Sequence, residues 1–142
     1  MILSNINTVA LQQYTLCSLL LDRNSKIIKI LLVYPKYPDS FWSLKHALKF
    51  IAKKAAVPPL GLITISAMLP TEWEKKLVDM NVSSLNASDI QWADYVFISA
   101  MQIQHESVED VVKECQKWDT KMVAGGPFFT QEYGNFPQID HF

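Results

Sequence analysis

The residues best placed to do chemistry in this chain follow runs of apolar residues. Ser99-Ala100-Met101 comes after Tyr95-Val96-Phe97-Ile98, and Gly125-Gly126-Pro127 comes after Lys121-Met122-Val123-Ala124. A third segment, with Pro35, Tyr37 and Phe41, follows Ile27-Ile28-Lys29-Ile30-Leu31-Leu32-Val33-Tyr34. The Ser99 hydroxyl can donate or accept a hydrogen bond. Met101 offers a soft apolar contact, and paired glycines let the backbone approach a bulky partner closely. Such a set suits holding a ligand more than transforming one. Its plain alternatives are a simple turn at Gly-Gly-Pro and a helix cap at Ser99.

Residues suited to catalysis are otherwise sparse. Cys17 and Cys115 are the only two cysteines, so the chain has neither a disulfide framework nor the grouped thiolates that a [4Fe–4S] cluster needs. His46, His105 and His141 are scattered, with no second ligand at metal spacing. His46 falls among lysines and reads as solvated; His105, near a helix start, is the histidine that can face a pocket. Cys115 lies on the inner stripe of a helix and reads as core. Asp79 and Asn81 close a strand and read as turn residues, with contact to a ligand edge as the alternative. The chain lacks GxSxG, GxGxxG and GxxxxGK[ST], which removes the nucleophile-elbow, dinucleotide and P-loop readings.

Composition narrows the partners. The 142 residues carry 13 Lys plus Arg against 14 Asp plus Glu, with 49% hydrophobic and 19% charged residues. That balance fits one globular domain with a real core. It gives no basic excess for nucleic acid or an anionic membrane. Residues 1–26 read as an N-terminal extension, partly helical through Leu11, Tyr14, Cys17 and Leu21. They have no positive n-region and are too polar to span a membrane. The expected location is cytoplasmic, and residues 27–142 form the domain.

The elements that must position the three segments alternate. Residues 27–34 read as a strand buried on both faces, as in a parallel sheet. Leu44, Ala47, Leu48 and Ile51 predict an amphipathic helix over 41–54. Pro59 opens a helix through Leu69 that is apolar nearly all round and is expected to be buried. Further strands are expected at 76–80, 94–100 and 121–124, with a brief turn capped by Ser88 or Asp89 through Trp92 and a helix over 106–118. A last strand is expected to begin near Ile139; if it opens there, its partner helix is missing and the chain is expected to be a piece of something longer. The alternation predicts a doubly wound parallel sheet, Rossmann-like, in three α/β/α layers. Ligands then bind beyond the carboxyl ends of the strands, at loops 35–39, 99–104 and 125–129.

In this order and spacing the chain resembles the N-terminal B12-binding domain of cobalamin-dependent radical-SAM proteins. The matching segments are Leu31-Leu32-Val33-Tyr34-Pro35, Phe41-Trp42-Ser43, Pro58-Pro59-Leu60-Gly61-Leu62, Leu77-Val78-Asp79-Met80-Asn81, Ala93 through Met101, and Val123 through Pro127. The resemblance implies a flavodoxin-like sheet with cobalamin on its C-terminal edge. Ser99-Ala100-Met101 would stand in the family's SxL position, with Ser99 bonded to the displaced dimethylbenzimidazole. Gly125, Gly126 and Pro127 would border the nucleotide tail, and Pro35, Tyr37 and Phe41 would lie under the corrin. A Val at Gly126 is then expected to block uptake while the domain stays folded. The family's DxHxxG loop is absent, so bound cobalamin is expected base-off and histidine-off. No iron–sulfur cluster belongs to this chain; a radical-SAM catalytic domain, in cis or trans, would supply it. The resemblance covers methyltransferases and relatives labelled anaerobic magnesium-protoporphyrin IX monomethyl ester cyclase.

Two rival readings stand beside this. One is a degenerate Rossmann-like docking domain that binds no cofactor, with Met101, Phe128 or Phe129 filling the corrin space. The other, a flavodoxin-type FMN site, lacks a phosphate cradle in its first loop.

Overall fold

A computed structural model describes residues 27–39 and 58–142. Phe41, His46, Cys17, the helix predicted over 41–54 and the extension over 1–26 lie outside the described residues.

The most apolar run becomes the central strand. β1 (Lys29–Tyr34) buries Ile30, Leu31, Leu32, Val33 and Tyr34 in succession. A strand can do this only when both sheet faces are covered. Each such side chain contributes roughly 1.5–3 kcal/mol relative to exposure. β2 (Glu74–Asp79) and β3 (Tyr95–Ser99) flank it, and β4 (Lys121–Gly125) pairs with β3. The order is β2-β1-β3-β4, and every pair is parallel. Register runs Leu32↔Leu77 and Leu32↔Phe97 across β1, then Ser99↔Gly125 at the last rung of β3 and β4. This is the doubly wound, Rossmann-like sheet that the alternating pattern predicts, in the strand order expected of the flavodoxin-like sheet that the resemblance implies.

Strand alternation sorts the core into two layers. Leu31, Val33, Val96, Ile98, Met122 and Ala124 face α2 (Ala87–Trp92), α3 (His105–Lys117) and α4 (Pro127–Glu132). Helix α3 sends Val108, Val111, Val112 and Cys115 into that layer, the spacing that one helical stripe requires. Ile30, Leu32, Tyr34 and Phe97 face the other way, against Leu62 of α1 (Leu60–Met68).

Three expectations change in detail. Helix α1 is apolar all round but buries only Leu62; Leu60, Ile63, Ile65 and Met68 are exposed. A single helix on a sheet can turn one stripe inward, however apolar its remaining faces. The brief turn before β3 is a helix that starts at Ala87. Asp89 does not open it; from inside the first turn its carboxylate accepts the Asn86 N–H at 3.0 Å and pairs with Lys76. The segment after Gly126 is helix α4 rather than loop, with Pro127 in its first turn, where a missing N–H costs nothing. Near the chain's last residue, His141 makes one parallel bridge to Val123, outside any named strand.

Candidate functional site

In the order β2-β1-β3-β4 the chain leaves β1 toward one side and resumes on the other, so the switch lies between β1 and β3. Open α/β sheets bind ligands beyond the strand ends at this crevice. Pro35, Tyr37, Ser99 and Met101 all stand there, brought together from segments some 60 residues apart.

The floor of the crevice is hydrogen-bonded. The Tyr34 and Tyr37 hydroxyls are 2.6 Å apart, with rings edge-on at 5.9 Å. The Tyr37 hydroxyl donates to Met101 Sδ at 3.5 Å, which leaves Tyr34 to donate to Tyr37. Burial first, and then the Tyr37 hydrogen bond, raise the Tyr34 phenol well above its ordinary range. It stays a neutral donor at any physiological pH. Met101 is half exposed at 47% and does not fold inward.

Backbone on this floor is held from the side. The Tyr37 N–H donates to Asn81 Oδ1 at 2.9 Å, and Asn81 Nδ2 donates to the Pro35 carbonyl at 3.3 Å. Gln104 Nε2 donates to the same carbonyl, while Gln104 Oε1 accepts the Met101 N–H at 2.8 Å. The Lys36 N–H donates to Ser107 Oγ at 2.9 Å. Asn81, read from sequence as a turn residue, is thus a tie between loops. Gln104 and Ser107 carry no sequence signal for this role.

The wall above β3 and β4 treats its two glycines differently. Gly126 has φ +92°, and a Cβ there would lie 2.8 Å from Ser99 Oγ and 3.0 Å from the Ala100 carbonyl. The chain's own packing requires this glycine. The expectation that Gly126→Val leaves the domain folded is therefore corrected. Gly125 is the opposite case: a Cβ there would meet nothing within 4 Å among the described residues. It shares a sheet face with its register partner Ser99. A Cβ at Gly61 of α1 would reach only ordinary contact distance, 3.7 Å, from Ser99 Oγ. The Ser99 hydroxyl makes no hydrogen bond among the described residues.

The remaining candidates lie in the elements around this edge. The Ala100 methyl is in the core; its carbonyl accepts the Phe128 N–H at 3.2 Å. Pro127 is exposed at the start of α4. Phe128 and Phe129 are buried with Phe136 in an edge-to-face cluster in the α3 layer, with centroids 5.0–5.5 Å apart. Phe128 and Phe129 therefore lie in the core, while Met101, the third residue that the docking reading names, stands at the switch beside Tyr37. His105 lies along α3, 3.4 Å from Glu109 and with its ring 5.5 Å from Phe128. Burial pushes the Cys115 thiol up to about 12, with the Glu114 charge adding to it, and its side chain is fully buried in the core, as the inner-stripe reading has it. Among the described residues no three His, Cys, Asp or Glu side chains gather where they could hold a metal ion. No helix among them is long and apolar enough to cross a membrane.

No family model and no solved structure matches the chain. Two curated proteins do. An uncharacterized methyltransferase of Synechocystis is 41% identical over 103 residues, covering 72% of this chain and 19% of its own length. The hopanoid C-2 methylase of Rhodopseudomonas palustris is 36% identical over 114 residues, covering 80% of this chain and 22% of its own. This chain is homologous to a segment, about a fifth of the length, of larger proteins named for methyl transfer.

Proposed function

We propose that the chain is the cobalamin-binding module of a B12-dependent radical-SAM enzyme, a methyltransferase in preference to a cyclase-like relative, with no catalytic set of its own. One observation carries the reading. At the C-terminal edge of the sheet, a serine hydroxyl with no hydrogen bond among the described residues stands on the same face as a glycine whose missing side chain faces open space. An unused hydroxyl and a bare strand end fit a large ring system with a polar tail. Ser99 would bond the tail, Gly125 would leave it room, and Tyr37 and Met101 would lie under the ring. The chemistry that cobalamin supplies when bound is methyl-group transfer. This chain's residues would bind and orient it without offering an imidazole from below. The names of both relatives favour methyl transfer over cyclisation. A radical-SAM domain, in cis or trans, would be the catalytic partner, in the cytoplasm.

Equilibrium dialysis against hydroxocobalamin tests the assignment of the wall. The chain should take up the corrinoid, and Gly125→Val should abolish uptake while its far-ultraviolet circular dichroism stays unchanged. A valine variant that binds as well as the parent places the ligand elsewhere.

Helix α1 favours a second role in the same module. Its exposed Leu60, Ile63, Ile65 and Met68 make an apolar surface suited to docking against another domain. The N-terminal end of α1 borders Ser99, and the exposed side chains from Ile63 to Met68 lead away from it, so docking would begin beside the cofactor site.

A further inference from the structure

Two carboxamides converge on one carbonyl at the switch point. Asn81 and Gln104 both donate to the Pro35 oxygen, across 46 and 69 residues of sequence. Their other ends are occupied as well: Asn81 Oδ1 by the Tyr37 N–H, Gln104 Oε1 by the Met101 N–H. Asn81 therefore ties loop 35–39 to the end of β2, and Gln104 ties it to the segment after β3. Gln104 is only 1% exposed, and Asp89 is the one other buried polar side chain among the described residues. A buried amide is tolerated when its donors and acceptors are paired, and leaving one unpaired is costly. A leucine would fill the same volume without that demand. Packing alone therefore gives no reason for a carboxamide here.

We propose that Gln104, seconded by Asn81, is a positioning residue that sets the Tyr37 loop against Met101 before any ligand arrives. The contact between the Tyr37 hydroxyl and Met101 Sδ is the product of this alignment: one amide fixes the backbone of Met101, the other that of Tyr37. A floor assembled in advance spares the ligand the cost of ordering a loop, which otherwise weakens binding. The inference rests on the cobalamin reading for its affinity arm; its structural arm stands on the hydrogen bonds alone.

The test measures two quantities on the whole chain, with Gln104→Leu beside the parent. Amide hydrogen exchange at Tyr37 and Met101 should accelerate about tenfold or more relative to amides within β1 and β3, through loss of one tie. The dissociation constant for hydroxocobalamin should rise about tenfold. A merely space-filling role would lower the thermal midpoint and leave both quantities unchanged well below it. If the leucine variant fails to fold, Gln104→Glu keeps the volume and the acceptor for the Met101 N–H but loses the donor toward Pro35, so faster exchange at Tyr37 together with weaker hydroxocobalamin binding is its readout. Unchanged exchange at Tyr37 and Met101 overturns the positioning role. Faster exchange with unchanged affinity overturns its service to the site. Faster local exchange in a chain whose parent takes up no hydroxocobalamin supports the positioning role and sinks the cobalamin reading instead.

Discussion

The two ends of the parallel sheet are built from different materials. At the N-terminal edge the strand starts are tied by carboxylates and flanked by cations on aromatic faces. The Lys29 N–H donates to Asp94 Oδ2 at 2.9 Å and the Met122 N–H to Asp140 Oδ2 at 2.7 Å. Lys29 Nζ sits 5.8 Å from the Trp92 ring and Lys121 Nζ 5.6 Å from that of Tyr95. At the C-terminal edge the ties that cross between segments are neutral, made by carboxamides, phenols, a thioether and backbone carbonyls, and the Asp79 carboxylate holds Asn81 within its own turn. Charged acceptors at the first edge use solvent to stay affordable, and they finish the structure there. The second edge is organised yet incomplete, with one hydroxyl that makes no hydrogen bond among the described residues and one glycine facing open space. The contrast teaches that the fold is closed at one end and left open at the other, the end where we propose the ligand sits.

The sharpest way to break this comparison is at Gly126, which the first edge has no counterpart to. Gly126→Val combines a left-handed backbone conformation with a collision against Ser99 and Ala100. It should cost roughly 2–5 kcal/mol of stability, read from the urea midpoint. A variant as stable as the parent would show that the wall is looser than its geometry implies.

Asp94 probes the opposite edge. Asp94→Ala removes the acceptor for the Lys29 N–H and should cost roughly 1–2 kcal/mol. Hydroxocobalamin affinity should not move, because the change is at the far end of the strands. A parallel loss of affinity would mean that the two edges are not separate in function.

Asp89 sharpens the comparison through pH. It lies in α2, which leads back to the N-terminal edge, and hydrogen bonding from Lys76 lowers its pKa below the ordinary value of 3.8, against an opposing effect of burial. A depressed folded pKa means that the unfolded chain binds the proton more readily. The stabilisation is thus present above pH about 4 and is lost as pH falls through the folded value. Asp89→Asn should cost roughly 1 kcal/mol at pH 7 and flatten that acid limb in urea titrations. An acid limb of unchanged steepness would assign it to other carboxylates.

Legibility from sequence followed the range of the interactions. β1, β3 and β4 were readable because a doubly covered strand must be apolar without interruption, as Ile30 to Tyr34 is. β2 begins two residues earlier than the apolar pattern suggests, since Glu74 and Lys75 belong to an edge strand that buries only Val78. Ser99 and Gly125 were legible as strand-end residues, and the parallel register brings them level. Gly126 was legible as special, but its reason, contact with Ser99 and Ala100, needs coordinates. Gln104 was invisible as a tie because its bond to Pro35 spans 69 residues and leaves no local pattern. The exposure of α1 was misjudged for a related reason: composition reports how apolar a helix is, not how many of its faces meet a partner.

The most direct measurement is the absorbance spectrum of the whole chain after loading with methylcobalamin and removal of free corrinoid. Stoichiometric retention with the spectrum of the base-off form, unaltered by free imidazole-bearing side chains of the chain, is the predicted result. Complete loss of colour on desalting, or retention in the base-on form with the nucleotide base still on cobalt, would contradict the claim that this sheet edge is a cobalamin ledge.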